Sequence, residues 1–323
     1  MRNKIALEEH FAIEDSLRES AEYAVPGQWN VLERRLIDVD GERIEEMDKN
    51  GIAFAILSLN APGVQSTFDR LKAVDYAKRA NDVLAAAVQR HPTQYAAFAA
   101  VAMQDPDAAC FELSRAVREL KFKGVMLNGF SQVGDPSTIV YYDDPRYRQF
   151  WATVAELDVP FYLHPRDPLP ERTTFYEGHP WLRGASWAFG VETATHALRL
   201  MASGIFDTHQ KLTAILGHLG ETLPYCIWRF DHRVTKRPRD IPARKTFTEY
   251  MRSNFYVTTS GNFHTTTLKC AVEQLGVDRV MFSVDYPFEE CADAAAWFDA
   301  CDIGESARQK IGRATAAQLF NLK

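Results

Sequence analysis

The chain has few cysteines, and their arrangement excludes two kinds of structure. Its 323 residues include five cysteines, Cys110, Cys226, Cys270, Cys291 and Cys301, an odd number without any Cys-x-x-Cys spacing. A zinc cluster on cysteine pairs and a regular disulfide framework both need another pattern. The sequence therefore predicts reduced thiols, as in a cytoplasmic protein.

Basic excess and long apolar runs are also missing. The net charge is −6, so there is no positive field for nucleic acid or an anionic membrane. No apolar run approaches the roughly 18 residues of a membrane-spanning helix. Residues 1–4 lead directly into a segment with Glu8 and Glu9, unlike the core of a signal peptide. We expect a cytoplasmic protein without nucleic-acid or membrane partners, although local arginines or a metal can still attract an anionic substrate.

Short apolar runs alternate with amphipathic segments along the whole chain. Eight runs have the near-continuous apolar character of parallel strands covered on both faces: 4–9, 53–59, 95–102, 123–128, 159–163, 211–217, 254–260 and 279–284. The segments between them have helical spacing or helix-start residues: 41–50, 69–90, 105–120, 145–157, 186–203, 221–232, 246–251, 265–275 and 292–300.

This alternation predicts an α/β fold, a (β/α)8 barrel in one domain over residues 1–323. The predicted insertions are βα loops at about 11–40 and 165–185, a segment at 233–245 and a C-terminal helix at about 304–318. A doubly wound open sheet is the alternative. It is disfavoured because no glycine-rich phosphate-binding turn follows any strand.

Polar side chains stand where four of the predicted strands end, and in a barrel all of these ends lie at the same mouth. They are Glu8 and His10 after the first strand, His164 after the fifth, His218 after the sixth and Asp285 after the eighth. Imidazole and carboxylate ligands suit Zn²⁺, Mn²⁺ or Fe²⁺. The sequence predicts a metal site at this mouth, with Glu8, His10, His164 and Asp285 in or next to the ligand set.

Two further residues have open roles. His218 is either a ligand or an acid/base beside the metal, and Glu221 either orients that imidazole or caps the next helix. Arg229 in the same helix is a candidate contact for an anionic or phenolic substrate, or a surface arginine paired with an acid.

Several sequence blocks resemble the dihydroxybenzoate decarboxylases of the amidohydrolase superfamily. They are residues 6–12 (ALEEHFA), 57–65 (LSLNAPGVQ), 159–166 (VPFYLHPR), 217–221 (GHLGE), 258–261 (TTSG) and 282–289 (FSVDYPFE). Hydrolytic members of that superfamily typically begin with a His-x-His pair, and here Glu8 replaces the first histidine. The resemblance therefore points away from hydrolysis.

The resemblance implies a metal-dependent, non-oxidative and reversible decarboxylation of an ortho-hydroxybenzoate by a homotetramer without an organic cofactor. Residues 127–132 and 197–204, together with His10, favour 2,6-dihydroxybenzoate, which would give resorcinol and CO₂; 2,3-dihydroxybenzoate and salicylate are the alternatives. The implied site has one Zn²⁺ or Mn²⁺ on Glu8, His10, His164 and Asp285 and catalytic roles for Asp285, His218 and Glu221. The expected substrate contacts are Arg229, Tyr23, Asn128 and Phe288.

Two other classes of function remain open on the sequence. A hydrolase using the same ligands would open a lactone or amide, with Asp285 as base. A non-catalytic barrel would bind aromatic acids without any need for clustered titratable groups. Incorporation of ¹⁸O from labelled water distinguishes the first from a decarboxylase, and turnover distinguishes the second.

Overall fold

The computed structural model describes residues 1–322, with Asp15 described by its backbone alone. Eight parallel strands form the barrel: β1 (Lys4–Phe11), β2 (Ile52–Leu59), β3 (Tyr95–Ala97), β4 (Val125–Asn128), β5 (Phe161–His164), β6 (Ala214–Leu216), β7 (Phe255–Thr258) and β8 (Val280–Met281). Hydrogen-bonded ladders connect β1, β2 and β3 in that order, and β4, β5, β6, β7 and β8 in that order.

Two sets of backbone contacts close the barrel. Ala99, just after β3, forms a parallel bridge with Val125 of β4. On the other side, the Asp285 N–H donates to the Glu8 carbonyl at 3.0 Å, and the His10 N–H donates to the Tyr286 carbonyl at 2.6 Å. The predicted (β/α)8 barrel is therefore confirmed, and the open-sheet alternative is wrong.

Within residues 1–322, ten helices of eight or more residues surround the strands. They are α1 (Trp29–Ile37), α2 (Glu42–Lys49), α3 (Arg70–Arg90), α4 (Pro106–Arg118), α5 (Arg148–Glu156), α6 (Ala188–Ala202), α7 (Leu223–Lys236), α8 (Phe247–Asn254), α9 (Thr265–Leu275) and α10 (Cys291–Ala300). Local chemistry explains several starts. Asp69 and Asp105 accept a backbone N–H three residues on, and Pro106 occupies the first turn of α4.

Shorter elements fill the connections. Single turns of α-helix lie at Glu14–Leu17 and Ile205–Thr208, and tighter turns at Arg18–Tyr23, Gly63–Ser66, Pro145–Tyr147 and Val277–Arg279. Residues His218–Glu221 form a left-handed turn. Ser131–Gln132 and Ile139–Val140 form an antiparallel hairpin that the sequence analysis did not predict. The C-terminal helix runs through Glu305–Gln309, Lys310–Ala314 and Thr315–Leu319, with a π turn in its middle.

The two predicted βα loops contain more regular structure than a loop. Residues 11–40 include α1, whose Leu32 and Leu36 pack with Ala12 and Leu17 in a small core. Residues 165–185 form four short turns, two of which begin at a proline: Pro170–Arg172, Thr174–Tyr176, Pro180–Leu182 and Gly184–Ser186. The segment at 233–245 is partly helical, because α7 continues to Lys236.

Strand residues alternate between two apolar cores. One face of the strands packs against the helices through residues such as Phe161, Leu163 and Leu216. The other face fills the barrel with Ile5, Leu7, Ile56, Ala96, Phe98, Met126, Tyr162, Ile215 and Met281. Ala316 and Phe320 of the C-terminal helix join this interior cluster, so the barrel is packed and closed at the end opposite the site.

Two further findings concern sequence-based expectations. Among the helices of residues 1–322, none is both long and apolar enough to cross a membrane. All five cysteines are free thiols, and Cys291 and Cys301 are buried.

Candidate active site

A β-bulge in β1 brings Glu8 into the barrel. Ala6 pairs with Ala55 of β2 and Glu9 with Leu57, so three steps along β1 match two steps along β2. Leu7 lies in the interior cluster, and strict alternation from Leu7 would put Glu9 inside. The extra residue turns Glu8 and then His10 toward the interior, as bulges near active sites commonly re-aim side chains.

Three hydroxyl groups hold one oxygen of Glu8. The Oε2 atom accepts hydrogen bonds from Tyr162 and Ser260, and a longer one of 3.4 Å from Thr258. The Oε1 atom has no hydrogen-bond donor and lies 3.2 Å from His164 Nε2. The Glu8 side chain is fully buried. One oxygen is thus fixed and the other is directed at the histidine of β5.

The remaining predicted ligands complete a compact group. His10 Nε2 lies 3.1 Å from Asp285 Oδ1, and the His10 and His164 rings meet edge to face with centroids 4.6 Å apart. One donor atom from each of Glu8, His10, His164 and Asp285 lies within 4.8 Å of all the others. Two imidazole nitrogens and two carboxylate oxygens, with Glu8 Oε1 and His10 Nε2 buried without a hydrogen-bond partner, fit a divalent transition metal.

The two carboxyl groups of this cluster are ionised. Burial raises the pKa of Glu8, but the positive charge of His218 and the His164 imidazole 3.2 Å away outweigh it and hold the pKa well below its usual range. For Asp285, burial also raises the pKa, and the His10 and His218 imidazoles beside it lower it by more. Ionised carboxylates are the form that binds a cation.

His218 and Glu221 form a dyad beside the cluster. Nδ1 of His218 lies 2.6 Å from Glu221 Oε1, and Nε2 lies 3.5 Å from Asp285 Oδ2. Burial lowers the pKa of His218, but the negative charges of Glu221 and Glu8 outweigh it and hold the pKa well above its usual range. This shift favours the protonated imidazole, whose Nε2 atom faces the Asp285 carboxylate.

The backbone around the dyad is strained. His218, Leu219, Glu221 and Thr222 all have positive φ angles, between 51° and 68°, a region that residues other than glycine rarely occupy. This left-handed turn separates the dyad from α7, which begins at Leu223, two residues later than the predicted start. Glu221 makes no cap of α7 and instead orients His218, which was the other sequence-based alternative.

Three of the four predicted substrate contacts are Asn128, Phe288 and Tyr23. Asn128 ends β4 beside His164 of β5, buried, with its Oδ1 atom lacking a hydrogen-bond partner. The Phe288 ring meets that of His10 at 5.8 Å, and Phe288 lines a small surface pocket together with Tyr23. Asn128 and Phe288 therefore flank the metal-ligand candidates, and Tyr23 lies in the pocket that Phe288 lines.

Arg229 is not brought into this group. It lies on the exposed side of α7, and among residues 1–322 no hydrogen bond or ion pair joins it to the other predicted site residues. A cavity of about 430 Å³ does border the dyad, and it is lined by His218, Glu221, Trp187, Phe189, Tyr225 and Thr267, among others. This volume suits a small aromatic molecule.

Sequence reasoning missed the residues that support the ligands. Tyr162, Thr258 and Ser260 hold Glu8, although hydroxyl residues at alternate positions of β7 and just beyond it were a usable signal. Glu9, to which the sequence analysis assigned no role in the site, is another such residue. Its carboxyl accepts the N–H groups of Val284 and Tyr286 at 2.9 and 3.2 Å, and so fixes the backbone on both sides of Asp285.

A barrel whose mouth carries two histidines and two carboxylates at metal-binding distances defines the chain as a metal-dependent enzyme of the amidohydrolase type. Comparison with known proteins agrees. Residues 33–322 match the family model described as Amidohydrolase. The γ-resorcylate decarboxylase of Rhizobium radiobacter is 54% identical over 324 residues, with 100% of this chain and 99% of that protein covered.

Solved structures give the same result. A 2,6-dihydroxybenzoate decarboxylase complexed with 2,6-dihydroxybenzoate is 53% identical, covers 100% of both chains and superposes with a TM-score of 0.98. A dihydroxybenzoic acid decarboxylase from Polaromonas sp. with bound manganese and the inhibitor 2-nitroresorcinol is 51% identical with a TM-score of 0.97, covering 100% of this chain and 98% of that one. The chain belongs to the amidohydrolase family, in the group that contains the γ-resorcylate decarboxylases.

Proposed function

We propose that this protein is a metal-dependent carboxy-lyase that converts 2,6-dihydroxybenzoate to resorcinol and CO₂ without oxidation. The observation that carries the proposal is the buried cluster of Glu8, His10, His164 and Asp285 with the His218–Glu221 dyad against it. The full-length relatives named above for this reaction support it.

The ligand set of the proposed metal is Glu8, His10, His164 and Asp285. Zn²⁺ and Mn²⁺ both suit two imidazoles and two carboxylates, and the manganese in the Polaromonas structure supports Mn²⁺. When bound, such an ion neutralises the charge of an ortho-hydroxybenzoate and orients its carboxylate and phenolic oxygens. An organic cofactor is not part of the proposal.

The dyad and Asp285 supply the proton on which the reaction depends. An aryl carboxylate loses CO₂ poorly, because the electrons of the breaking bond would remain in an sp² orbital outside the π system. Protonation of the carboxyl-bearing carbon makes it tetrahedral, and loss of CO₂ then returns the electron pair to the ring. Asp285 is ionised at rest, so it must first receive a proton. Protonated His218, with Nε2 at 3.5 Å, is its proposed donor.

Positioning of the ring is proposed for residues around the mouth. Phe288 and Tyr23 supply aromatic wall near His10, and Asn128 offers a buried amide beside His164. Glu221 keeps His218 charged and oriented through the 2.6 Å contact to Nδ1. A substrate contact by Arg229 is also proposed, but within one chain this residue faces solvent.

The protein is also proposed to form a homotetramer, with Arg229 in a contact between two copies of the chain. Tyr225 and Trp228, which are 87% and 68% exposed, share the exposed side of α7 with Arg229. We propose that a second copy of the chain covers this side of the helix. We also propose that the enzyme works in the cytoplasm, which its free thiols support. Light scattering of the wild type and of Trp228→Glu tests the assembly: a wild-type monomer would contradict it.

The function is tested with metal-loaded protein under anaerobic conditions. We expect 2,6-dihydroxybenzoate to give equal amounts of resorcinol and CO₂, faster than 2,3-dihydroxybenzoate, 2,4-dihydroxybenzoate or salicylate. Asp285→Asn should abolish turnover while the thermal unfolding curve stays cooperative. Full activity in chelator-treated protein shown to contain no metal would refute the metal dependence.

Hydrolysis is the competing outcome of the same experiment. A hydrolase would place ¹⁸O from labelled water in a new acid group, whereas the proposed reaction takes only a proton from solvent. In D₂O the resorcinol should carry one deuterium at the carbon that lost the carboxylate. Product without that deuterium would refute the proton transfer.

A further inference from the structure

Arg166 is a buried cation without a carboxylate partner, two residues after the candidate ligand His164. Its side chain is 6% exposed. One terminal nitrogen donates to the Phe130 carbonyl and the other to Gln132 Oε1, both at 2.9 Å, and Nε has no hydrogen-bond partner. All of its bonds among residues 1–322 are thus to neutral acceptors, so its charge is not cancelled locally.

The surroundings show that the chain accommodates this arginine at a cost. The guanidinium carbon lies 4.1 Å from the centroid of the Phe130 ring. Gly129 has a φ of +65°, and a Cβ there would lie 2.4 Å from Arg166 Cγ, so only glycine leaves room for the arginine stem. Burying an unpaired charge is unfavourable, so a buried guanidinium next to a candidate active site suggests a function for its charge.

Two acidic side chains act on the charge of Arg166 without a hydrogen bond or ion pair to it. Glu19 and Glu192 act on the guanidinium only through space. The Glu192 carboxyl accepts the Tyr141 hydroxyl, and burial raises the pKa of Glu192. Burial likewise lowers the pKa of Arg166, but a guanidinium stays charged in proteins.

We infer that Arg166 makes the site prefer a carboxylate over the neutral phenol left after CO₂ departs, so that it discriminates substrate from product. The inference rests on the proposed function, because it takes an aromatic acid as substrate and its phenol as product. The Cα atoms of His164 and Arg166 are at most about 7 Å apart, and the charge of Arg166 acts on Tyr23, one of the predicted substrate contacts. At an effective dielectric constant of about 20, the attraction between two opposite unit charges roughly 12 Å apart strengthens binding by about tenfold.

Arg166→Gln removes the charge and keeps a hydrogen-bonding side chain. We expect KM for 2,6-dihydroxybenzoate to rise about tenfold, while Ki for resorcinol changes less than threefold. A residue that only shapes the loop would shift both constants together. Arg166→Lys keeps the charge and should keep the preference for the acid. Arg118→Gln is the matched control, because it removes an exposed cation paired with Glu156 and should change neither constant.

Equal shifts in KM and Ki, or no shift in either, would overturn the inference. If Arg166→Gln does not fold, Arg166→Met, whose unbranched chain fits over Phe130, is measured with the same expectations. Equilibrium titration of acid and phenol, followed by tryptophan fluorescence, separates the two proposals. If the wild type turns over the acid and the ratio of its affinities for acid and phenol is unchanged in the variants, only the role of Arg166 is refuted. If the wild-type protein shows no turnover, the proposed function is refuted.

Discussion

The hydroxyl of Tyr162 determines how well Glu8 can serve as a metal ligand, and its removal is the most direct test of the site. Tyr162 lies inside the barrel on β5, two residues before His164, and is fully buried. It donates to Glu8 Oε2 and exchanges a second hydrogen bond of 2.7 Å with Thr258. Tyr162→Phe deletes the donor and leaves the ring in place.

The size of the effect follows from these contacts. A hydrogen bond to a charged group contributes about 1.5–3 kcal/mol when the remaining partner stays buried. Oε2 keeps Ser260 and the long contact to Thr258, so Glu8 stays in position but its negative charge is less stabilised. If the whole loss appears in metal binding, affinity falls about 10- to 100-fold, the range found for groups that support metal ligands.

The assay is competition of the protein with a chelator for Mn²⁺, together with thermal unfolding with and without the metal. We expect weaker binding, a smaller metal-induced rise in Tm and recovery of kcat at saturating Mn²⁺. Tyr95→Phe is the control, because among residues 1–322 the buried Tyr95 hydroxyl has no hydrogen-bond partner. An affinity within threefold of wild type in Tyr162→Phe, or an equal loss in Tyr95→Phe, would refute the reasoning.

Three further predictions concern other parts of the molecule. Gly217→Ala puts a Cβ 2.6 Å from Glu8 Oε2 and should lower Mn²⁺ affinity at least tenfold in the same competition assay. Glu221→Gln removes a charge that raises the pKa of His218, so the alkaline limb of the pH–kcat profile should move to lower pH. Burial lowers the pKa of His196 to about 3. Only the unfolded chain therefore takes up a proton at His196 as the pH falls below about 6.5, and this lowers the free energy of unfolding by about 2 kcal/mol by pH 5. In urea unfolding, the free energy of unfolding of His196→Gln should fall between pH 7 and pH 5 by about 2 kcal/mol less than that of the wild type.

Each of these has a result that contradicts it. Wild-type metal affinity in Gly217→Ala would mean that Glu8 tolerates displacement. An unmoved alkaline limb in Glu221→Gln would separate that limb from His218. Equal losses of stability between pH 7 and pH 5 in wild type and His196→Gln would show that His196 remains solvated enough to titrate normally, despite accepting the Tyr142 N–H at 3.1 Å.

The strands illustrate which parts of the fold are local. Runs such as residues 53–59 are nearly continuous in apolar residues because both of their faces are covered, and this pattern locates all eight strands. Their lengths are less local. The predicted strand at 95–102 keeps ladder pairing only over Tyr95–Ala97, and that at 279–284 only over Val280–Met281. Beyond those residues, hydrogen bonds with other segments replace the ladder, and one of them runs from the Leu7 N–H to the Ser283 hydroxyl.

The candidate ligands were also readable in the chain, since the ends of parallel strands in a barrel share one mouth. Glu8, His10, His164 and Asp285 are each identified by their place after an apolar run. The structure brings all four within 4.8 Å. Arg229 shows the limit of this reasoning, because helical position alone does not say whether a side chain faces the site or solvent.

The sequence by itself thus determined the class of fold, the mouth of the barrel and the chemistry of the residues around it, because these depend on short-range hydrophobic pattern and on residue type. Only the tertiary structure decided which faces meet. The extra residue in β1 puts Glu8 rather than Glu9 inside, and the left-handed turn at 218–222 joins Glu221 to His218. Arg166 is left without a carboxylate partner. These features depend on register, backbone strain and contacts between distant segments, none of which is encoded in local periodicity.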